Sequence, residues 1–454
     1  MKRNEEDALK NAVLHYQDNA LHSIKFPNLE EAESKIAESE TLLTELGYTL
    51  PALSDIQQIS SQPGGKNLIS LPSWEALCEQ AVQSVGTDCQ LEDLFTPEEL
   101  KNNRATLATF QKEFAAPHKL DGYDVGISIL AGLIGAAVDI LLVGIPKSTS
   151  DGLQAGPLSD WIRKKFNEKF TPEKIHELES SKGSKVPYDA QDNRNTTIDV
   201  DGLSTYYHRL LSLGHDPLLG FIVGVFDIMT GRMTTIDKSG KIVSQVMENY
   251  ADRKEANIFA AIAKEFTHLK SDVTTSMGLP VPLMGLFNLL QFGSIGEEEQ
   301  TIAEIVQGMY YEGYDFIHFC SMSIPVMTIE VITRLGYSVK RIKEGQSIKS
   351  SIPFSTNREK HPKLATMLFI AHSVSTAANA GKIWFSKEPM AINYSQWLSF
   401  IKYSYKQLMW VVIQKPHARD AFISGKLNDE FTDILTEIDE SFLDISAHYT
   451  LLME

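Results

Sequence analysis

Between Val125 and Pro146 the chain runs through 22 residues with a single charge, Asp139. No other stretch restricts the fold as much. About 20 consecutive apolar residues make a helix long enough to cross a bilayer, and the same residues in water must be buried on every side. Ala131 and Gly135 stand four apart, as do Gly132 and Ala136. That small-residue spacing lets helix backbones approach closely. A carboxylate at a helix centre in lipid costs about 2.5–3.5 kcal/mol on insertion scales. Asp139 therefore faces water, a partner or a buried polar group, and both a membrane-active helix and a soluble core helix stay open.

A second apolar run begins at Pro217 and carries Gly220, Gly224 and Asp227. It is too short to span alone, yet it echoes the first. Gly132 precedes Asp139 by seven residues, and Gly220 precedes Asp227 by seven. On a helix each pair lies two turns apart on one face. Further apolar runs cover Gly278 to Gly296 and Phe316 to Ile332, neither of them a convincing span.

The rest of the chain is that of a soluble protein. Apolar residues make up 43% of 454 and the mean hydropathy is −0.15, which excludes a polytopic membrane protein. The formal charge of −17 disfavours bulk attraction to nucleic acid or anionic lipid. Cys78, Cys89 and Cys320 form no metal spacing and suit a reducing compartment. The charged start, Met1-Lys2-Arg3-Asn4-Glu5-Glu6-Asp7, is no signal peptide, so a cytosolic origin is expected.

Helix signals dominate. Asn28 with Glu31 reads as a capping box and Gly47 as a stop, while Thr96-Pro97-Glu98-Glu99 and Thr171-Pro172-Glu173 each read as a helix start. Residues 181–202, rich in Ser, Gly, Lys, Asp and Asn, read as a mobile loop or linker. Residues 233–243 read as a small β-hairpin, the one clear strand signal. Tyr394 to Gln414 is an amphipathic run that Pro416 should end, and Phe431 to Ile445 marks a last helix. The expected class is all-α with a minor hairpin. Three regions are expected: 1–115, helical; 116–296, the apolar core; and 297–454, helical with a basic segment.

That basic segment, 334–363, opposes the acidic whole. It includes Arg334, Lys340, Arg341, Lys343 and Lys349, a candidate site for an anionic nucleotide or oligonucleotide. The bland alternative is a solvated loop paired with acidic helices. His215-Asp216 invites comparison with metal phosphohydrolases that use an HD dyad, with His176 upstream and Asp272 downstream. Pro217 disfavours helix at Asp216, where that fold wants helix, so a turn is the expectation. His372-Ser373 has no acid or oxyanion signature beside it. No P-loop, Rossmann fingerprint or nucleophile elbow is present. On sequence grounds no catalytic residue, metal ligand or cofactor is assigned.

The blocks Gly132-Leu133-Ile134-Gly135-Ala136-Ala137-Val138-Asp139-Ile140-Leu141, His215-Asp216-Pro217-Leu218-Leu219-Gly220 and His361 through Ser373 resemble blocks in a group of bacterial proteins. The nearest likeness is to the membrane effector of Hailong-type antiphage defence. That resemblance implies an oligomer that opens in the membrane under control of a DNA oligomer made by a partner nucleotidyltransferase. It carries over no functional residue. The expectation is thus a non-enzymatic, homo-oligomeric effector, cytoplasmic and then associated with or inserted in the inner membrane. Gly132, Gly135, Asp139 and Gly144 would form its active helix, and Gly220, Gly224 and Asp227 a second. A soluble phosphohydrolase or a helical scaffold is the alternative.

Overall fold

The computed structural model describes residues 2–23, 29–45, 67–149, 152–273, 275, 278–295 and 299–453. The chain is mainly helical, with short two-stranded pairings. It divides into two compact units, Met1–Ala116 with Pro416–Glu454, and Pro117–Lys415. The first division falls beside the expected boundary at 115. The expected boundary at 296 has no counterpart, and the C-terminal residues group with the N-terminal ones.

The first unit opens with helices α1 (Lys2–Ser23) and α2 (Leu29–Glu45), strand β1 (Asn67–Leu71), α3 (Trp74–Val85) and α4 (Pro97–Ala115). Thr96 and Glu99 cap α4 reciprocally, with Pro97 in its first turn. Ala12 and Val13 of α1 pack on Ala81 of α3. The expected capping pair Asn28 and Glu31 and the stop at Gly47 lie outside the described residues and side chains.

In the second unit α5 (Gly122–Val138) starts at Asp121, which accepts the Asp124 N–H at 3.0 Å. A wider π turn, Asp139–Val143, extends it to Gly144. Gly144 has φ +74°, and a Cβ there would lie 2.6 Å from the Gly156 nitrogen, so only glycine fits. Strands β2 (Lys147–Thr149) and β3 (Gly152–Gln154) pair antiparallel. Helices α6 (Pro157–Lys169) and α7 (Pro172–Ser180) follow.

Residues 181–202 correct the expectation of a mobile linker. They are irregular apart from a 3₁₀ turn at Asn193–Asn195, but Val186, Tyr188, Ala190 and Val200 are fully buried. These side chains join a core with Leu211, Ile228, Met233 and Val243. Sparse but well-placed apolar residues hold the segment, and its polar composition concealed them.

Next come the one-turn α8 (His208–Leu211), α9 (Val223–Thr230), β4 (Arg232–Ile236), β5 (Ile242–Val246) and α10 (Ile258–Asp272). The β4–β5 hairpin is the expected one, with Ile236 opposite Ile242. The proposed repeat fails structurally. Gly132 and Asp139 share one helical run, whereas Gly220 sits in a separate 3₁₀ turn, Leu219–Phe221, ahead of α9.

Helices α11 (Ile302–Tyr311), α12 (Phe316–Lys343), α13 (Ile348–Ser351), α14 (Leu364–Ser386) and α15 (Tyr394–Met409) complete this unit. Pro416 does not end the last run. A π turn at Trp410–Gln414 leads straight into α16 (Lys415–His448), and Pro416 takes that helix's second position, where a missing N–H is tolerated. Strand β6 (Tyr449–Met453) pairs parallel with β1, Tyr449 opposite Asn67.

Helices α5, α12 and α14 pack closely, with α15 against α12 and α14. A Cβ on Gly135 would fall 2.5 Å from the Ile329 side chain, and one on Gly132 would fall 2.5 Å from the Ala371 carbonyl oxygen. This bundle buries a charged pair as well as apolar side chains such as Ile329 and Leu368. Inside, the Asp139 carboxylate accepts from Asn379 and Asn393 at 2.8 Å each and from Lys382 at 3.4 Å. Outside stand Leu130, Leu133 and Leu141 from the α5 run, Met327, Val331 and Leu335 from α12, and Ile401 and Leu408 from α15. Leu141 is 69% exposed and Leu335 60%.

Removing one member of a buried ion pair strands the other, at a cost of about 3–5 kcal/mol. Asp139→Ala should lower thermal stability by that order, and Asp139→Ala with Lys382→Met should recover most of it. Equal unfolding temperatures for the single variant and the parent would contradict this role of Asp139.

Candidate metal centre

Five titratable side chains converge in the second unit. Asp189 comes from the packed irregular segment, His208 from α8, His215 from the 3₁₀ turn Leu213–His215, and His268 and Asp272 from α10. His268 and Asp272 are four residues apart, so one helical face presents both. They form two sets sharing His215: Asp189, His208 and His215; and His215, His268 and Asp272. Within each set the ligand-type atoms lie within 4.8 Å of one another.

Hydrogen bonds fix the tautomers. A carbonyl only accepts, so His208 Nδ1 donates to Thr205 O at 2.9 Å and His268 Nδ1 donates to Ser184 O at 2.7 Å. His215 Nδ1 faces Asp272 Oδ2 at 3.0 Å. Burial alone would raise Asp272, but His268, Arg209 and the hydrogen bond from His215 outweigh it and hold the carboxyl below its ordinary range. An ionised Asp272 leaves His215 Nδ1 as the donor. The Nε2 atoms of His208 and His215 then carry lone pairs.

Both lone pairs are unused. His208 Nε2 and His215 Nε2 are buried with no hydrogen-bond partner. Both point at Asp189 Oδ1, at 3.6 and 3.8 Å. Bonds of about 2.0–2.1 Å at tetrahedral angles put neighbouring ligand atoms about 3.3–3.4 Å apart. The two edges to Asp189 thus stand near those of a metal site, and the group as a whole lies within 4.8 Å. Burial pushes His208 down to about 4 and His215 down to about 3. Both imidazoles are therefore neutral at physiological pH, the form that binds metal.

The other set needs His215 to give up its Nδ1 proton. The Asp272 contact works against that and favours the Asp189, His208, His215 side. Asp272 then plays the orienting carboxylate behind a ligating histidine. Arg209 braces it, donating from Nη2 to Asp272 Oδ1 at 3.2 Å and from Nη1 to Thr275 Oγ1. Three protein ligands with a further position free is the pattern of a catalytic rather than a structural zinc site. The Asp189 side chain is 28% exposed while His208 and His215 are buried, so the open side lies at Asp189.

A second layer shapes the cluster. The Tyr188 ring packs edge-on against His215 and His268, and its hydroxyl donates to Glu265 Oε2. Burial raises Glu265 well above its ordinary range. Gly220 and Gly224 lie against it. A Cβ would meet a Glu265 carboxylate oxygen at 2.3 Å from Gly220 and at 2.6 Å from Gly224. These glycines make room for Glu265. Asp227 accepts the Thr234 N–H and hydroxyl at 2.8 Å each and ties α9 to the hairpin.

The other expectations drawn from the sequence separate. Of the HD comparison, His215 and Asp272 meet, while His176 is exposed on α7. Asp216 accepts from the Leu218 and Leu219 N–H groups at 2.9 Å each, forming the expected turn. In the basic segment Arg334 binds Glu330 and the Pro353 carbonyl, Lys340 binds Asp121 and Asp124, and Arg341 binds Tyr337 and the Lys360 carbonyl. Lys343 and Lys349 are exposed. The hydroxyl of Ser373 donates to the Phe369 carbonyl, away from nucleophilic use.

Sequence reasoning missed Asp189, His208 and His268. The signals were His208 seven residues before His215, and His268 with Asp272 at helical spacing. Asp189 lay in the segment read as a linker.

In the metal-free protein His208 and His215 sit below their ordinary value of 6.5 when folded. The unfolded chain then binds more protons, so their contribution is full above pH 6.5 and is lost as pH falls toward 4 and 3. His215→Gln should flatten the fall in stability between pH 6.5 and 4 in denaturant titrations of chelator-treated protein; an unchanged slope would contradict the assignment.

No family model matches the chain, and no curated protein and no solved structure matches it.

Proposed function

We propose that this chain is a metal-dependent hydrolase acting on phosphate esters. The observation that carries the reading is the pair of buried, unpartnered Nε2 atoms aimed at Asp189. His208, His215 and Asp189 would hold a divalent ion, which would supply an activated water, and Asp272 keeps His215 in the tautomer that could ligate it. Two neutral imidazoles and one carboxylate leave a bound divalent ion with a net positive charge. In a chain of formal charge −17 that is a local attraction for an anionic substrate.

The test is metal content by elemental analysis together with hydrolysis of bis-p-nitrophenyl phosphate by the full chain. About one zinc or manganese per chain is expected. His208→Ala and His215→Ala should lose both ion and turnover. Asp272→Asn should weaken metal affinity about 10–100-fold. A parent protein that stays metal-free in metal-supplemented buffer would overturn the reading.

A second observation supports membrane action, the first expectation from sequence. Two helical runs, Pro97–Val143 and Phe316–Lys343, are long and apolar enough to cross a membrane. The outer faces of α5 and α12 are apolar and the polar groups lie inside, the arrangement lipid favours. Here the second unit is embedded, and an effector role with controlled opening is the finer form of this proposal. Opening along Asp139 would require release of Lys382, Asn379 and Asn393. An anionic regulator would have Lys343 and Lys349 as its exposed cations. Flotation with liposomes under an alkaline carbonate wash should leave the chain with the lipid. Recovery in the aqueous fraction would remove the membrane reading.

A further inference from the structure

A pit of about 220 Å³ interrupts the packing of the second unit. Protein interiors hold few voids larger than a water molecule, so a space of this size asks for an occupant. Val281, Met284, Met309 and Tyr314 line it and are buried, which closes one end. Val306 of α11 and Leu398 of α15 are half-buried, and Ile401 of α15 is 58% exposed. The open end therefore lies beside α15.

The wall is dry. Among the described residues, none that lines the pit is charged, and no polar atom faces the space. Hydrogen-bonding groups in the lining are spent away from it. The Tyr314 hydroxyl accepts the Tyr394 N–H at 3.1 Å and donates to the Ile392 carbonyl. Trp397 Nε1 donates to Asn379 Oδ1 at 3.0 Å. An ordered water needs two to four polar partners and finds none here. A charged or hydrogen-bonding group carried into the pit would be left unpaired. Whatever enters must be hydrocarbon.

Size and mouth select its shape. A dry cavity of about 150 Å³ takes up benzene, and in that proportion this pit holds about nine carbon atoms. Ile401, Tyr405 and Leu408 follow one another at steps of four and three residues, so they share one face of α15. Tyr405 and Leu408 are each 62% exposed. From Ile401 to Leu408 that face runs about 10 Å. A compact ring would stop inside the pit, whereas a chain continues over Tyr405 and Leu408 and covers exposed apolar surface.

We propose that the pit binds the end of a single alkyl chain, with the polar head left outside. The proposal rests neither on the metal centre nor on membrane insertion. Burial of apolar surface drives binding, and each methylene that enters tightens it about fourfold until the pit is full. The chain comes from a membrane lipid or from a free amphiphile, and the experiment separates the two.

The test incubates the full chain with decanol carrying a diazirine at its far end, then photolyses it and maps adducts by peptide mass spectrometry. Saturable adducts are expected on Met284 and Met309. Plain decanol should displace the probe, and hexanol should do so about a hundredfold or more less well. Decane-1,10-diol, which would carry a hydroxyl against the dry wall, should compete poorly. Val306→Trp, which fills the pit, should cut the adducts about tenfold or more; Leu398→Phe serves if the first variant does not fold. A parallel arm uses phosphatidylcholine vesicles with the diazirine at the acyl chain end. Adducts on the same residues from the vesicles make a membrane lipid the source, and adducts from decanol alone make it a free amphiphile; both support the site. Saturable adducts from neither probe, equal labelling of a folded, filled variant, or a diol that competes as well as decanol overturns the proposal.

Discussion

The hydrogen bond from His215 Nδ1 to Asp272 Oδ2 sets the arrangement of the buried histidine cluster. It fixes which imidazole nitrogen keeps a lone pair, and so which side of His215 can meet a cation. Arg209 keeps Asp272 charged, Tyr188 walls the rings, and Gly220 and Gly224 leave room for the Glu265 that anchors Tyr188. If Asp272 were neutral, His215 could turn its proton to the other nitrogen and the Asp189 side would lose a ligand. Buried polar groups are costly when unsatisfied. Two buried nitrogens left without hydrogen-bond partners and facing one carboxylate are the observation behind the metal proposal.

The helical bundle obeys a second constraint. Small residues, a charged pair and large apolar side chains such as Ile329, Met367 and Leu368 share its interior, while other large apolar side chains stand on its surface. Gly132 and Gly135 bring α5 against α14 and α12. The ion pair of Asp139 and Lys382 then becomes tolerable because Asn379 and Asn393 complete its hydrogen bonds.

Much of the fold was legible from sequence. Thr96-Pro97 marked a helix start because capping chemistry is local, and the hairpin at 232–246 followed from alternation around a turn. Segment 181–202 was misread because its buried residues are few and set in polar company. Pro416 was misread because a preceding π turn accommodates it. The site was only half legible. His215 and Asp272 stood out as a dyad and a distant acid, but convergence with Asp189 and His208 depends on long-range packing that spacing does not encode. The basic segment looked like a binding site because sequence does not reveal that Lys340 is spent on Asp121 and Asp124.

The most direct test of the metal centre is X-ray absorption at the zinc edge on the full chain after zinc loading and removal of excess ion. The account requires a low-coordinate nitrogen and oxygen shell at about 2.0–2.1 Å with outer-shell scattering from two imidazoles. Scattering from water alone, or a sulfur shell, would contradict a centre built from Asp189, His208 and His215.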